Sequence, residues 1–158
     1  MKKIICLVFL FVFAVAAYAD KLMFNNYGFS IDTLAVDKNK KDSLSQTVFM
    51  FLPVEGGVFA PNVNVQIQKF EGSVDEYEAL SNQQFTAAGA KIISANKKSG
   101  EIIYEYEIKL EGMDMHMYSR GLFKDGSVYL VTATALISQW GSVGNILKKN
   151  VDSFQLVK

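Results

Sequence analysis

The sequence predicts an α+β fold in which helices pack on an antiparallel β-sheet meander. Three observations support this prediction. Several segments alternate apolar and polar residues with the period of a strand. Two other segments place apolar residues at helical spacing. Glycine-containing two-residue turns separate the strand-like segments of the carboxyl-terminal half. Together these patterns are typical of a small α+β domain with one sheet.

The chain begins with the three parts of a cleavable secretory signal peptide. Lys2 and Lys3 supply positive charge, residues 4–17 form an apolar run, and residues 17–19 (AYA) give the small-x-small pattern of a cleavage site. The run is shorter than the roughly 20 residues of a transmembrane helix. We therefore predict a signal peptide at 1–19 and a single α/β domain at 20–158. The mature chain would have no transmembrane anchor and would be extracytoplasmic, periplasmic rather than fully secreted.

Cleavage would change the composition in ways that exclude several classes of function. It removes Cys6, the only cysteine, so the mature chain can form no disulfide and offers no thiol nucleophile. Starting from 16 basic and 16 acidic side chains, the loss of Lys2 and Lys3 leaves a net charge of −2. This balance argues against nucleic acid as a partner, because phosphate binding needs a clustered basic surface. The sequence contains no phosphate-binding loop, dinucleotide fingerprint or HExxH motif, and we predict no cofactor.

The first part of the mature chain predicts three strands. Residues 27–32 alternate as a strand. Residues 47–52 are apolar at every position after the first, which predicts a strand covered on both faces. Residues 62–68 alternate valine or isoleucine with asparagine or glutamine, which predicts a strand with one wet face.

A helix and a meander follow. Ser73 and Glu76 form a capping-box pattern, and Gly89 is placed to end the helix. The residues expected to face the core from this helix are Val74, Tyr77, Leu80, Phe85 and Ala88. Residues 112–113 (Gly-Met) predict a type II′ turn that pairs Ile108 with Met117. Residues 125–126 (Asp-Gly) predict a type I′ turn. A second helical stripe near the end comprises Val143, Ile146, Leu147, Val151 and Phe154.

Four segments resemble the PsbP-like family, which includes extracytoplasmic bacterial proteins of unknown function and a lumenal photosystem II subunit. They are residues 27–31 (YGFSI), the strand 62–68 running into the capped helix, the strand 129–135, and the closing 151–156 (VDSFQL). The resemblance covers nearly the whole mature chain, although the loop 53–61 departs from it. It implies an α/β/α sandwich and an accessory, mostly non-enzymatic role. It implies no catalytic residues.

Residues 113–117 (MDMHM) contain the candidate metal ligands of the sequence. Thioether sulfurs with an imidazole suit Cu(I), which makes Met115, His116 and Met117 weak candidates for a copper site. On a strand, however, His116 faces opposite to both methionines. We therefore predict no metal site and keep Cu(I) binding as an alternative.

Two sets of residues form a possible partner surface. One is the apolar pair Val58 and Phe59 in the loop 53–61. The other is a polar sheet face whose members are Glu105, Glu107, His116, Tyr118 and Arg120. In an enzyme, His116 could be a base and Arg120 an anion clamp, but cross-strand charge pairing explains the same pattern. No serine lies in a nucleophile-elbow pattern, and we predict that the protein is not an enzyme.

The leading hypothesis is an exported, non-enzymatic binding or accessory protein that contacts an envelope protein or a small ligand. One alternative is a carrier of a small apolar ligand, held between a helix and the sheet near Phe85, Tyr104 and Tyr106. Further alternatives are a Cu(I)-binding protein and a hydrolase-type enzyme.

Overall fold

A computed structural model describes residues 21–24, 29–32, 47–52 and 59–156. The predicted signal peptide at 1–19 and Val58 lie outside the described residues. The chain divides into two compact units, Met1–Leu44 and Ser45–Lys158. Neither helix of the described residues is long and apolar enough to cross a membrane.

The described part of the first unit is a two-stranded antiparallel sheet. Strand β1 spans Lys21–Phe24 and strand β2 spans Phe29–Asp32. Their pairing places Phe24 opposite Phe29. The strand predicted at 27–32 is thus found from Phe29 onward.

The second unit contains a six-stranded antiparallel sheet and two helices. The strands are β3 Thr47–Phe51, β4 Asn62–Lys69, β5 Lys91–Lys98, β6 Glu101–Leu110, β7 Met113–Lys124 and β8 Ser127–Leu136. The helices are α1 Val74–Ala87 and α2 Ile137–Asp152. The strand order is β3-β4-β8-β7-β6-β5, so β5 to β8 form a meander and α1 crosses from β4 to the far side of the sheet. This architecture confirms the predicted α+β fold class.

One helix packs on each face of the sheet. Helix α2 covers Val131, Ala133 and Ala135 of β8, and Val143, Leu147 and Val151 are its buried contribution to that core. Helix α1 lies on the opposite face, where Tyr77 packs with residues of β6 and β8. The unit is therefore a three-layer α/β/α arrangement with a separate core on each side of the sheet.

Local sequence signals set the bounds of α1. The Ser73 hydroxyl accepts the Glu76 N–H at 3.2 Å, and the Glu76 carboxylate accepts the Ser73 N–H at 2.7 Å, which confirms the capping box. Gly89 follows the helix with a φ of +66°, a left-handed conformation that glycine adopts without strain. The prediction that Leu80 faces the core is wrong, because this side chain is 42% exposed.

Of the two hairpin turns predicted in the meander, one is confirmed and one is found at a different position. The turn at Asp125-Gly126 is confirmed, with both residues at positive φ and Lys124 opposite Ser127. The preceding turn is Glu111-Gly112, also with both residues at positive φ, so the predicted Gly-Met turn at 112–113 is wrong. Ile108 therefore pairs with Met115 instead of Met117. Because the register moves by two residues, every side chain keeps its predicted face.

Two predictions of burial also need correction. Strand β3 was expected to be covered on both faces, but it is an outer strand of the sheet, and Met50 and Phe51 are 46% and 65% exposed. In α2, Ile146 is 58% exposed although the stripe placed it in the core. The buried positions Val143, Leu147 and Val151 recur every fourth residue, and Ile146 lies outside that row.

Candidate functional site

The predicted polar face is present, and α2 lies on it. His116 is 7% exposed, its Nε2 lies 2.9 Å from Glu105 Oε1, and its ring stacks on Trp140 of α2 with centroids 4.0 Å apart. Lys148 of α2 contacts the same carboxylate oxygen at 2.6 Å. Glu107 Oε1 lies 3.7 Å from His116 Nδ1. These residues thus join the sheet to the middle of α2.

The other two members of this face hold the end of α2. The Tyr118 hydroxyl donates to Asp152 Oδ1 at 3.0 Å. Arg120 donates to the backbone carbonyls of Asp152 at 3.0 Å and Phe154 at 3.1 Å, and its guanidinium also contacts Glu101 at 2.9 Å. We call Glu105, His116, Tyr118 and Arg120, with their α2 partners, the α2 network.

The α2 network shifts the pKa of two of its members. Burial raises the pKa of Glu105, but hydrogen bonds from Lys148 and His116 outweigh it, and the net pKa is lowered. Burial and the hydrogen bond to Asp152 raise the pKa of Tyr118 to about 12. The carboxylate is therefore charged and the phenol neutral at physiological pH, the states that favour these contacts.

The remaining predicted site residues are not brought together. Met117 packs in the core below α1, whereas His116 stacks on α2, so the imidazole and this sulfur lie on opposite faces of the sheet. Met115 is buried at 3% exposure. Among the described residues, no three His, Cys, Asp or Glu side chains are grouped to hold a metal ion. Phe59 is half-buried, and its carbonyl accepts a hydrogen bond from Gln139 of α2 at 2.9 Å.

A cavity of about 410 Å³ lies on the other face, between α1 and the sheet. It contains the three aromatic residues that the sequence named for a carrier, Phe85, Tyr104 and Tyr106. The rest of the lining comes from α1 and four strands and comprises Gln68, Tyr77, Leu80, Ser81, Gln84, Ile102, Ser119, Gly121 and Leu130. We call this space the α1 cavity.

Two aromatic clusters explain why α1 leaves this space. Near the start of the helix, Tyr77 packs edge-on against Phe70 and Phe123, with centroids 5.1 and 5.3 Å away. Near its end, Phe85 contacts the rings of Tyr104 and Tyr106 at 5.0 and 4.5 Å. Both clusters place bulky rings between helix and sheet.

Between the two clusters the helix has a small inward residue. Ser81 lies one turn from both Tyr77 and Phe85, is 9% exposed, and has a short side chain that fills less space than these rings. Below it, Gly121 contributes no side chain. The cavity therefore follows from large residues at the ends of the contact and small ones at its centre.

Several polar atoms of the α1 cavity have partners within the protein. The Tyr77 hydroxyl donates to Gln68 Oε1 at 3.0 Å, and Ser119 shares a 3.1 Å hydrogen bond with Thr132. The Tyr104 hydroxyl interacts with the Ser81 side chain, and as a donor it makes long contacts, 3.5 Å to the Glu78 carbonyl and 3.4 Å to Asn82 Oδ1. Such distances mark weak hydrogen bonds, so this hydroxyl can turn toward another acceptor at little cost.

Sequence reasoning found the aromatic part of this site and missed its small residues. The sequence does indicate that Ser81 faces inward, because it lies at the helical spacing of Tyr77 and Phe85. Gly121 falls at an inward position of β7 by strand alternation. Neither signal measures the distance between helix and sheet, and that distance makes the cavity.

Comparison with solved structures finds a similar fold in a bacterial protein. A protein of unknown function from Pseudomonas aeruginosa matches with a TM-score of 0.62 and 10% identity, over 89% of this chain and 99% of that chain. A cyanobacterial PsbP from Synechocystis matches with a TM-score of 0.44 and 15% identity, over 89% of this chain and 94% of that chain. The likeness to the Pseudomonas protein is one of fold, and it carries no residue roles. No family model matches the sequence, and no curated protein matches it.

Proposed function

We propose that the chain is an exported, non-enzymatic binding protein that holds a small ligand in the α1 cavity. The observation that carries this proposal is the volume of that cavity, about 410 Å³. Ligand sites in proteins occupy about 300–1,000 Å³ and combine apolar and aromatic walls with a few polar groups. The lining of the α1 cavity has this composition.

Access to the cavity supports a role in binding. Leu80 and Gln84 both line the cavity and are both exposed to solvent. The cavity therefore reaches the surface beside α1, and a ligand can enter without unfolding of the core. The exposed position of Leu80, which the helical pattern did not predict, is what this opening requires.

The opposite face favours a ligand over a partner protein as the contact. The chain's own α2 engages Glu105, His116, Tyr118 and Arg120, so a partner at this face would have to compete with α2. A ligand in the α1 cavity would not have to displace a helix. The carrier hypothesis is for this reason preferred to binding through the polar face.

Titration with the uncharged fluorophore N-phenyl-naphthylamine tests the proposal, because its emission rises in apolar sites. We expect the mature protein to bind it and Ser81→Phe, which fills the centre of the cavity, to weaken binding by about tenfold or more. The matched control is Ala79→Phe, which adds the same ring to the exposed side of α1. Equal binding by both variants would place the probe outside the cavity and contradict the proposal.

The export part of the proposal rests on residues 1–19 and is tested separately. Expression of the full chain in a Gram-negative host, followed by osmotic shock and amino-terminal sequencing, should release a periplasmic protein that begins at Asp20. A product that keeps Met1 and stays in the cytoplasm would contradict export without affecting the cavity.

A further inference from the structure

We infer that the ligand of the α1 cavity is an uncharged molecule built on a flat apolar ring system, with no more than a few neutral hydrogen-bonding groups. This inference rests on the proposed binding function and adds the chemical class of the ligand. It follows from the charge, the hydrogen bonding and the ring geometry of the lining.

The charge of the lining comes first. None of the described residues that line the cavity is an Asp, Glu, Lys, Arg or His. Burying an ion without a counter-charge is costly, so a charged ligand would be disfavoured here. Burial also raises the pKa of Tyr77 and Tyr106, so these phenols stay neutral through the physiological range and supply no anion for a cationic ligand.

A lysine close enough to act on Tyr104 does not alter this conclusion. Lys97 belongs to β5, outside the lining, and its ammonium contacts Asp75 at 2.6 Å and also contacts Glu78. Two carboxylates of α1 thus engage this lysine. An anionic ligand would have to displace them, and its entry into the cavity would leave both carboxylates without this ion pair.

The hydrogen bonding of the lining disfavours a ligand rich in hydroxyl groups. Tyr77 is bonded to Gln68, and Ser119 to Thr132. The hydroxyls of Tyr77, Ser119 and Tyr106 already have partners in the protein, so a sugar would leave hydroxyls of its own unsatisfied. Each unsatisfied group costs about 1–3 kcal/mol. The weakly bonded Tyr104 hydroxyl can serve one neutral acceptor, such as a carbonyl or ether oxygen.

The aromatic side chains favour a flat ring. Phe85 lies edge-on to Tyr104 and tilted against Tyr106, and all three rings line the cavity. Aromatic rings pair through offset-stacked and edge-to-face contacts, which are worth about 0.5–1.5 kcal/mol beyond the area buried. A planar apolar ligand can make both kinds of contact at once.

A pair of probes with the same ring system tests the ligand class. N-phenyl-naphthylamine is uncharged, and anilino-naphthalenesulfonate differs from it by one sulfonate. We expect the mature protein to bind the uncharged probe at least about tenfold more tightly, and Ser81→Phe to weaken that binding. An excess of maltose, which is uncharged but rich in hydroxyls, should leave the probe bound.

The outcomes separate the inference from the proposed function. If both probes bind equally and both are lost in Ser81→Phe, or if maltose displaces the uncharged probe, the inference fails and the binding function stands. If neither probe binds, the binding function fails as well. Should Ser81→Phe not fold, Leu130→Trp fills the cavity from the sheet, and unchanged binding of the uncharged probe in that folded variant would overturn the inference.

Discussion

The two faces of the six-stranded sheet each carry one helix but pack it in different ways. Below α2, the sheet presents the small side chains Ala133 and Ala135, both fully buried, and the helix lies close. Below α1, it presents the rings of Tyr104 and Tyr106, and a cavity of about 410 Å³ remains. The size of the sheet side chains therefore decides whether the helix packs directly on the sheet or leaves a cavity above it.

The two faces also differ in their polar groups, which are charged at α2 and neutral at the α1 cavity. The α2 network joins sheet and helix through charged groups, among them Glu105, Lys148 and Arg120. Among the described residues, those that line the α1 cavity carry only neutral polar groups, and Tyr77 and Ser119 have partners within the protein. The α2 face thus joins sheet and helix through charged contacts, and the α1 face is the one for which we propose ligand binding.

The same substitution on each helix should give the largest contrast. Leu147 is 3% exposed below α2, and Leu147→Ala should lower the free energy of unfolding by about 2–5 kcal/mol, because a cavity opens in a closed core. Leu80 is 42% exposed at the edge of an existing cavity, and Leu80→Ala should cost less than about 1 kcal/mol. Urea denaturation measures both. Equal losses would show that the two faces are packed alike.

Two glycines of α2 give a second, smaller contrast. A Cβ at Gly144 would lie 2.9 Å from Cε2 of Trp140, the ring that stacks on His116, whereas nothing lies within 4 Å of a Cβ at Gly141. Gly144→Ala should therefore destabilise the protein by about 1–3 kcal/mol through overpacking. Gly141→Ala should stabilise it by about 0.5–1 kcal/mol, because alanine favours the helix. Thermal denaturation of both variants measures the two changes in stability. If both variants were more stable than the wild type, Gly144 would not be closely packed against Trp140.

Most of the fold could be predicted because its signals are local. The capping box at Ser73 and Glu76 and the turn at Asp125-Gly126 each need only a few adjacent residues, and both are confirmed. Alternation likewise assigned the faces of β8 correctly. The turn at Glu111-Gly112 was missed because a two-residue shift of register leaves the alternation unchanged, so the pattern could not report it.

The burial of individual residues was harder to predict, because it depends on what covers an element. Ile146 and Met50 fit apolar patterns, but no described part of the fold buries them fully, and both are exposed. For the candidate site, the rings of Phe85, Tyr104 and Tyr106 were identified from the sequence. Ser81 and Gly121 were not, since a small residue opens a cavity only where its neighbours hold helix and sheet apart.

The charged character of the α2 network should appear in the pH dependence of stability. The pKa of Glu105 is lowered in the folded protein, so its contribution is present above the unfolded pKa and is lost as the pH falls through the folded pKa. Glu105→Gln should cost about 1 kcal/mol at pH 7, and the difference from the wild type should shrink under acidic conditions. Denaturation at a series of pH values measures this. Glu71→Gln, in an exposed ion pair, is the control and should change little.

Removing one hydroxyl from each face gives the smallest and most local comparison. Tyr118→Phe removes the 3.0 Å hydrogen bond to Asp152 and should cost about 0.5–1.5 kcal/mol. Tyr104→Phe removes the 3.5 and 3.4 Å contacts at the α1 cavity and the interaction with Ser81, none of them a short hydrogen bond, so its cost should stay below about 0.5 kcal/mol. Urea denaturation resolves the two values, and a larger loss for Tyr104→Phe would mean that this hydroxyl is firmly bonded. The cavity would then lack the one donor we assign to a ligand acceptor, and the polar part of the proposed ligand would have to be given up.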